Sequence, residues 1–358
     1  MAYLMNCWYV AAWNHEVTNE RPLARTLLDR PVVLFRDATG TAQALFDRCP
    51  HRFAPLSLGT LDGDTLRCAY HGLEFNGAGA CTRNPHGNGT IPKAAKVAAF
   101  PVVERHSLIW IWMGDPAKAD PAAIPDFACL DPDSQHVGKR YLRVKANYLL
   151  ETDNIMDLSH IQFLHASTLG SNAVAQATTE VKEDGNTVWS LRMTHGEIMP
   201  AFLYQAMGIE SGIPVDRWID VRWNAPANML LLAGAVPGGR PRGEGRDTPT
   251  CHLFTPETAR TTHYWFSISF PKAMGPFGAQ LAEEQIEGLS VPFRTEDLPM
   301  LEAQQNAIGD ADFWSLKPIL LAGDAAGVRA RRVLERLIAA EQTAQDAIAK
   351  AVPEAAGA

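Results

Sequence analysis

Two short stretches carry one cysteine and one histidine each, Cys49-Pro-His51 and Cys68-Ala-Tyr-His71, with 16 residues between them. Thiolate and neutral imidazole both bind iron. A [2Fe–2S] cluster with two Cys on one iron and two His on the other uses four such ligands. Its imidazoles raise the potential well above that of an all-thiolate cluster, so the centre takes single electrons from a reductase and passes them on. A structural zinc site is the competing reading, but zinc ribbons and fingers pair cysteine with cysteine and histidine with histidine. Pro50 removes a backbone N–H between the first two ligands, Tyr70 is placed to donate its hydroxyl to a sulfur, and Gly72 permits close backbone approach.

A second set of ligands follows downstream. The run Asn147 to His165 has apolar residues at three- and four-residue steps with no Pro or Gly, and it reads as a helix. Asn154, Asp157 and His160, at steps of three, share one face of it. His165 is about 140° further round a regular helix, so both histidines reach one ion only if the helix ends or distorts between them. Two imidazoles and one carboxylate form a triad that leaves positions open for O₂ at Fe(II). On spacing alone the obvious carboxylate is Asp157.

These ligands need a frame. From Trp8 to about Trp112, short runs of β-branched, aromatic and aliphatic residues cut by Gly, Pro and Asp read as antiparallel β structure with the Cys/His loops at its tip. The proline-rich stretch G-D-P-A-K-A-D-P-A-A-I-P-D-F suits a linker or surface excursion, which places a domain boundary near residue 140. Further strands are expected at T-V-W-S-L-R-M, N-M-L-L-L-A-G-A-V and T-T-H-Y-W-F-S-I-S-F, then a helix from about Val328 to Val352 and a frayed tail. His15, His86, His106, His136 and His195 occur singly, in contexts where surface or core roles are the default. His252 and His263 flank the stretch L-F-T-P-E-T, read as a turn.

Length and composition narrow the class. At 358 residues and 46% hydrophobic content the chain suits two buried cores, while a net charge of −8 without a basic stripe argues against nucleic acid. Four of the six cysteines (Cys7, Cys81, Cys129, Cys251) lie far apart outside the ligand pairs, so a reducing cytoplasm is expected rather than disulfides. No apolar run suits a membrane span, and the first twenty residues lack the pattern of an export signal.

The stretches C-P-H-R-F-A-P-L-S-L-G and C-A-Y-H-G-L-E-F resemble the Rieske domain of the Rieske non-haem iron oxygenases, and D-N-I-M-D-L-S-H-x₄-H resembles their iron-binding segment. N-C-W-Y-V-A-A-W, A-I-P-D-F, D-V-R-W-N and G-V-R-A-R-R-V-L-E-R-L-I-A-A-E extend the resemblance over nearly the whole chain, towards the vanillate O-demethylase and dicamba monooxygenase group. Two positions depart from those patterns: Phe53 where the vanillate pattern has Gly, and Leu231 where the dicamba pattern has an amide.

The resemblance implies an α+β chain. Residues 1–140 would form an antiparallel-β Rieske domain with its linker, and residues 141–358 a catalytic domain whose antiparallel sheet is flanked by helices. It implies that Cys49, His51, Cys68 and His71 hold the cluster, and that His160, His165 and a late carboxylate hold iron. Asp297 in R-T-E-D-L-P-M-L-E is the match for that carboxylate, with Glu296 its rival and Asp153 a weaker one. Asp157 would instead link His160 to the cluster histidine of a neighbouring subunit in a head-to-tail homotrimer, accepting N–H bonds from both rings. Asn154 would lie near the open iron position or face solvent, and His252, Leu231 or an arginine such as Arg222 would bear on the substrate.

The implied activity is O-demethylation of a methoxylated aromatic acid such as vanillate, releasing formaldehyde. Electrons would come from NAD(P)H through a flavin- and iron–sulfur-containing reductase. Attack on another aromatic keeps both metals, by ring hydroxylation, N-demethylation or methyl oxidation. A Rieske electron carrier without oxygen chemistry is the alternative of a different class.

Overall fold

The computed structural model describes residues 2–351, so the expected end of the last helix at Val352 and the tail beyond it lie outside the described residues. The first half is built from short strands: β1 (Trp8–Trp13), β2 (Leu23–Leu27), β3 (Arg30–Arg36), β4 (Ala42–Phe46), β5 (Thr60–Asp62), β6 (Thr65–Arg67), β7 (Glu74–Asn76), β8 (Cys81–Arg83), β9 (Val102–Arg105) and β10 (Leu108–Trp112). They form three small antiparallel sheets, β1-β10-β9, β2-β3-β4 and β5-β6-β7-β8. The Cys/His loops leave β4 and β6, whose apolar side chains Leu45 and Leu66 share a core cluster with Cys49 and Cys68.

The second half is one seven-stranded antiparallel sheet in the order β11-β17-β16-β15-β14-β13-β12. Its strands are β11 (Gln135–Val144), β12 (Thr178–Asp184), β13 (Thr187–Glu197), β14 (Val215–Asn224), β15 (Asn228–Pro237), β16 (Thr248–Thr258) and β17 (Thr261–Pro271). Helices α1 (Tyr148–Met156), α2 (Ile161–Leu164), α3 (Ala201–Met207), α4 (Gly275–Pro292), α5 (Leu298–Ile308) and α6 (Ala325–Ala351) complete an α+β fold, with α4 packed across β11 and β17. Among the described residues no helix is long and apolar enough to cross a membrane.

Alternation along the central strands divides the labour between the two faces of this sheet. Cys251, Leu253 and Trp265 face the first half, where they pack with Trp8, Trp110 and Trp112. The intervening residues, such as Thr250 and His252, turn to the opposite face and line a cavity.

Several expectations need correction. The proline-rich stretch is more than a surface excursion: its Ile124 and Phe127 are buried in the tryptophan cluster, so it mortars the two halves together. L-F-T-P-E-T is not a turn but the end of β16, whose chain reversal comes after Thr258, and His252 therefore lies mid-strand opposite Phe266. The last helix begins at Ala325, three residues before Val328. Cys129 and Cys251, far apart in sequence, bring their sulfurs to 3.5 Å as free thiols.

Candidate active site

The two cluster loops close in the same way. The N–H of Phe53 bonds to the Cys49 carbonyl at 2.9 Å, and that of Gly72 to the Cys68 carbonyl at 2.9 Å. Both residues take positive φ, +61° at Phe53 and +71° at Gly72. Glycine meets that demand freely, whereas phenylalanine gives up roughly 1 kcal/mol to steric crowding. The departure from the vanillate pattern thus falls at a left-handed position, and its ring is 69% exposed.

Cys49 and Cys68 are buried at 2% exposure each, while the rings of His51 and His71 stand at the rim with centroids 4.4 Å apart. Burial raises the Cys49 thiol pKa, while the backbone of His51 and Arg52 opposes it by hydrogen bonding to the sulfur. Sulfurs inside and imidazoles outside fit a [2Fe–2S] cluster whose His-bound iron would lie on the surface side. Tyr70 is turned outward against the His71 ring, at 4.0 Å between centroids and 64% exposed, rather than in towards the sulfurs. His86 is exposed, as expected of a surface histidine, and places Nε2 2.8 Å from the His71 carbonyl.

The segment read as one helix breaks. α1 ends at Met156, and Asp157 swings to φ −118°, ψ 95°. Its carboxylate then accepts from the N–H of Ser159 at 3.0 Å and from its hydroxyl at 2.9 Å, starting a new turn through His160 into α2. α2 ends where His165 leaves helical geometry at ψ 27°. One break thus precedes His160, and between the histidines the 3₁₀ turn that ends at His160 gives way to α2, which ends at Leu164, so the helix is not regular from His160 to His165. Asp157 does not share a helix face with Asn154 and His160, because it caps the following turn.

The carboxylates come from a second distortion. Pro292 has no N–H to continue α4, and the chain makes one π turn over Phe293–Asp297, closed by Leu298 N–H on the Phe293 carbonyl. This wide turn puts consecutive acids on opposite nitrogens of one ring. Asp297 Oδ2 lies 3.1 Å from His165 Nε2, and Glu296 Oε2 lies 2.5 Å from His165 Nδ1. Asp297 Oδ1 is 3.7 Å from His160 Nε2, and one ligand atom from each of His160, His165 and Asp297 falls within 4.8 Å of the others. Two nitrogens and an oxygen converging on one point fit Fe(II) with open positions.

Burial lowers the His165 pKa, but Asp297 and Glu296 outweigh it and leave the ring above its usual value. At His160 burial wins over Asp297, and the pKa is lowered. His160 Nδ1 faces the Asp157 backbone oxygen at 2.8 Å, so the link from Asp157 to this ring runs through its carbonyl rather than its carboxylate. Asp153 is taken up by a forked ion pair with Arg331 and plays no part in the convergence.

Residues 7–101 match the Rieske [2Fe-2S] domain model, and residues 144–340 match the vanillate O-demethylase oxygenase C-terminal domain model. The oxygenase component of dicamba O-demethylase from Stenotrophomonas maltophilia is 40% identical over 344 residues, covering 94% of this chain and 98% of that protein. This chain belongs to the Rieske non-haem iron oxygenases. A crystal structure of dicamba monooxygenase bound to 3,6-dichlorosalicylic acid superposes with a TM-score of 0.87 at 39% identity, covering 96% of this chain and 99% of that one. A second, of dicamba monooxygenase with non-haem iron and dicamba, gives 0.79 at 38% identity, covering 96% and 99%. The convergent His160, His165 and Asp297 are thus the non-haem iron site of a Rieske oxygenase, an oxidoreductase of the aromatic O-demethylase family.

In this oxygenase Glu296 is the residue whose role the sequence hid. It lies outside the convergence, as the hydrogen-bond partner that holds the His165 ring with Nε2 turned to Asp297. Glu296→Ala is expected to weaken iron retention at this site by roughly 10- to 100-fold, the usual cost of losing such a partner. Chelator competition followed by iron analysis measures it.

The cavity beside the iron ligands has about 100 Å³ of free space and a largely apolar wall that includes Ile155, Leu158, Ile219, Leu231 and Phe293. That is of the order of a cavity that accepts one aromatic ring. Asn154 does not face solvent: its Nδ2 donates to Asp297 Oδ1 at 3.1 Å. Leu231 and His252 both line the cavity, but Arg222 does not, because its guanidinium lies over Phe127 and donates to the Asp126 carbonyl. His263 bonds to Tyr141 and to the Thr26 carbonyl as a core histidine.

His252 is neutral. Burial lowers its pKa to about 4, and its Nδ1 is 2.7 Å from the Tyr264 hydroxyl. Because the folded pKa lies below the unfolded value of about 6.5, the unfolded chain takes up a proton first as pH falls. Stability contributed by the neutral ring is complete above pH ~6.5 and declines towards pH ~4, by up to about 3 kcal/mol. Urea midpoints compared with those of His252→Asn across this window are expected to show a steeper acid loss in the wild type.

Proposed function

We propose that this oxygenase O-demethylates a methoxylated aromatic acid such as vanillate. The observation that carries the reading is the one-ring apolar cavity opening directly on the iron ligands. Overall, a methoxyarene, O₂, two electrons and two protons give a hydroxyarene, formaldehyde and water. Iron held by His160, His165 and Asp297 supplies O₂ activation when bound, and a cluster held by Cys49, His51, Cys68 and His71 supplies single electrons. The chain's residues do the rest. Asn154 steadies Asp297, Glu296 steadies His165, and the Asp157 carbonyl holds the proton on His160 Nδ1. The apolar wall excludes water and holds the ring flat beside the metal.

The electron donor in this reading is a partner reductase that oxidises NAD(P)H and carries flavin and an iron–sulfur centre. The chain divides near residue 140 into a cluster domain and a catalytic domain, and subunits associate head to tail, most simply as a trimer. The route runs from His71 of one subunit to Asp157 of the next and on to His160. Two exposed apolar patches support such docking. Phe53, Leu58 and Tyr70 surround the cluster loops, and Leu316, Ile319 and Leu321 lie on the segment leading to Gly323. That glycine presses on Asp157 so closely that a methyl there would sit 2.6 Å from its carboxylate. Incubation with vanillate, the reductase and NADH tests the activity. Equal amounts of formaldehyde and 3,4-dihydroxybenzoate are expected, and substrate loss without formaldehyde would instead point to ring hydroxylation.

A further inference from the structure

Four of the six cysteines are accounted for by their surroundings. Cys49 and Cys68 belong to the cluster loops, Cys7 donates to the Leu4 carbonyl at 3.3 Å, and Cys81 donates to the Arg83 carbonyl at 3.4 Å. Cys129 and Cys251 have each other, sulfur to sulfur at 3.5 Å across 122 positions of sequence. A disulfide bond is about 2.05 Å long, so the two atoms stand about 1.5 Å from covalent distance.

The two thiols differ in the way a stepwise oxidation needs. Cys251 is fully buried in the middle of β16, on the face that packs with the tryptophans. Burial and the neighbouring Cys129 sulfur push its thiol pKa well up, against a smaller pull from Arg222, so it rests as the neutral thiol. Cys129 is only partly buried, in the single 3₁₀ turn Ala128–Leu130 that follows the proline-rich stretch. The Arg222 guanidinium lies over the neighbouring Phe127 ring, donates to the Asp126 carbonyl and couples electrostatically to both sulfurs. A fixed cation beside a sulfur favours the thiolate, the form that reacts.

We infer that Cys129 and Cys251 are an oxidative modification site, a dithiol that hydrogen peroxide converts into a reversible disulfide stapling the two halves of the chain. The Cys129 thiolate is reached first because it is partly exposed, and it attacks one peroxide oxygen. An S–O bond forms, the O–O bond breaks, and the departing hydroxide takes up the proton that Cys129 lost. Cys251 then attacks the sulfenic acid: the S–S bond forms, the S–O bond breaks, and hydroxide leaves with the Cys251 proton as water. In sum, two thiols and one H₂O₂ give one disulfide and two waters, with two electrons passing from sulfur to oxygen. The bridge ties the segment after the proline-rich stretch to a strand whose opposite face brings Thr250 and His252 to the cavity. It is independent of which aromatic the iron site demethylates.

Peroxide titration of the holoenzyme tests the site, with the cluster spectrum followed throughout and peptides mapped by mass spectrometry after alkylation without reductant. About one equivalent per chain is expected to link the Cys129 and Cys251 peptides before the cluster bleaches, and dithiothreitol to separate them. The bridged protein is expected to melt at least about 3 °C higher, since closing a long loop constrains the unfolded chain. Cys129→Ser treated alike should show neither the link nor the shift, and Cys251→Ser should leave Cys129 as a sulfenic acid that dimedone traps. A link that forms only after the cluster is lost overturns the inference. So does peroxide that leaves both thiols reduced or carries Cys129 unbridged to the sulfinic acid, and so does a bridge that leaves the melting temperature where it was. Should Cys251→Ser not fold, the wild type and Cys129→Ser, altered at the partly exposed position, decide.

Discussion

Asp297→Ala is expected to lower iron from about three to about two atoms per chain and to abolish demethylation, while the optical and EPR spectra of the cluster stay unchanged. The carboxylate is the sole oxygen ligand in the convergence, and it also receives Asn154 Nδ2 at 3.1 Å. Glu296 cannot take its place, because it holds Nδ1 on the far side of the same imidazole. The loss of turnover should exceed the roughly 100-fold that removing an outer-sphere partner can cost. Retention of the third iron by the variant would mean that another carboxylate completes the site.

Asp157→Asn is expected to keep all the iron and both spectra yet to reduce turnover by about 100-fold. Asparagine preserves the acceptor that caps the turn at Ser159, and the backbone carbonyl that meets His160 Nδ1 is untouched. What disappears is the negative charge beside Arg192, whose Nη2 lies 3.2 Å from the carboxylate. Stopped-flow reduction separates the outcomes: the cluster should still be reduced at the normal rate, and its reoxidation by substrate-bound iron should slow. Unchanged turnover would remove the Asp157 carboxylate from the electron route.

The sequence displayed what depends on ligand chemistry. One Cys and one His in each of two loops is a donor set with few uses, and the cluster domain is legible from it. The iron site was less legible: His160 and His165 are out of phase on a regular helix, which called for an irregularity between them, spacing pointed to Asp157 as the carboxylate, and Asp297 came only from the family resemblance. Where the break falls was not legible, because it depends on Asp157 capping its own chain while Arg192, 35 residues away, holds the carboxylate. The π turn was equally hidden. Pro292 marks a fault in the helix, but only the packed structure shows that the fault sets Glu296 and Asp297 about one ring. His252 looked like a turn residue because Pro256 interrupts its strand; the ladder to β17 runs past that proline with only a local irregularity after it.

The central claim is that two iron centres of unlike ligation work across a subunit boundary, and mixed assembly tests it most directly. One variant, Cys68→Ala, lacks the cluster, and another, His160→Ala, lacks the catalytic iron; each alone should be inactive. Dissociated and reassembled together with the reductase, they are predicted to recover demethylation, because a cluster in one subunit then faces an intact iron site in the next. A mixture confirmed to contain both chains in one oligomer, yet as inactive as either variant alone, would contradict the account.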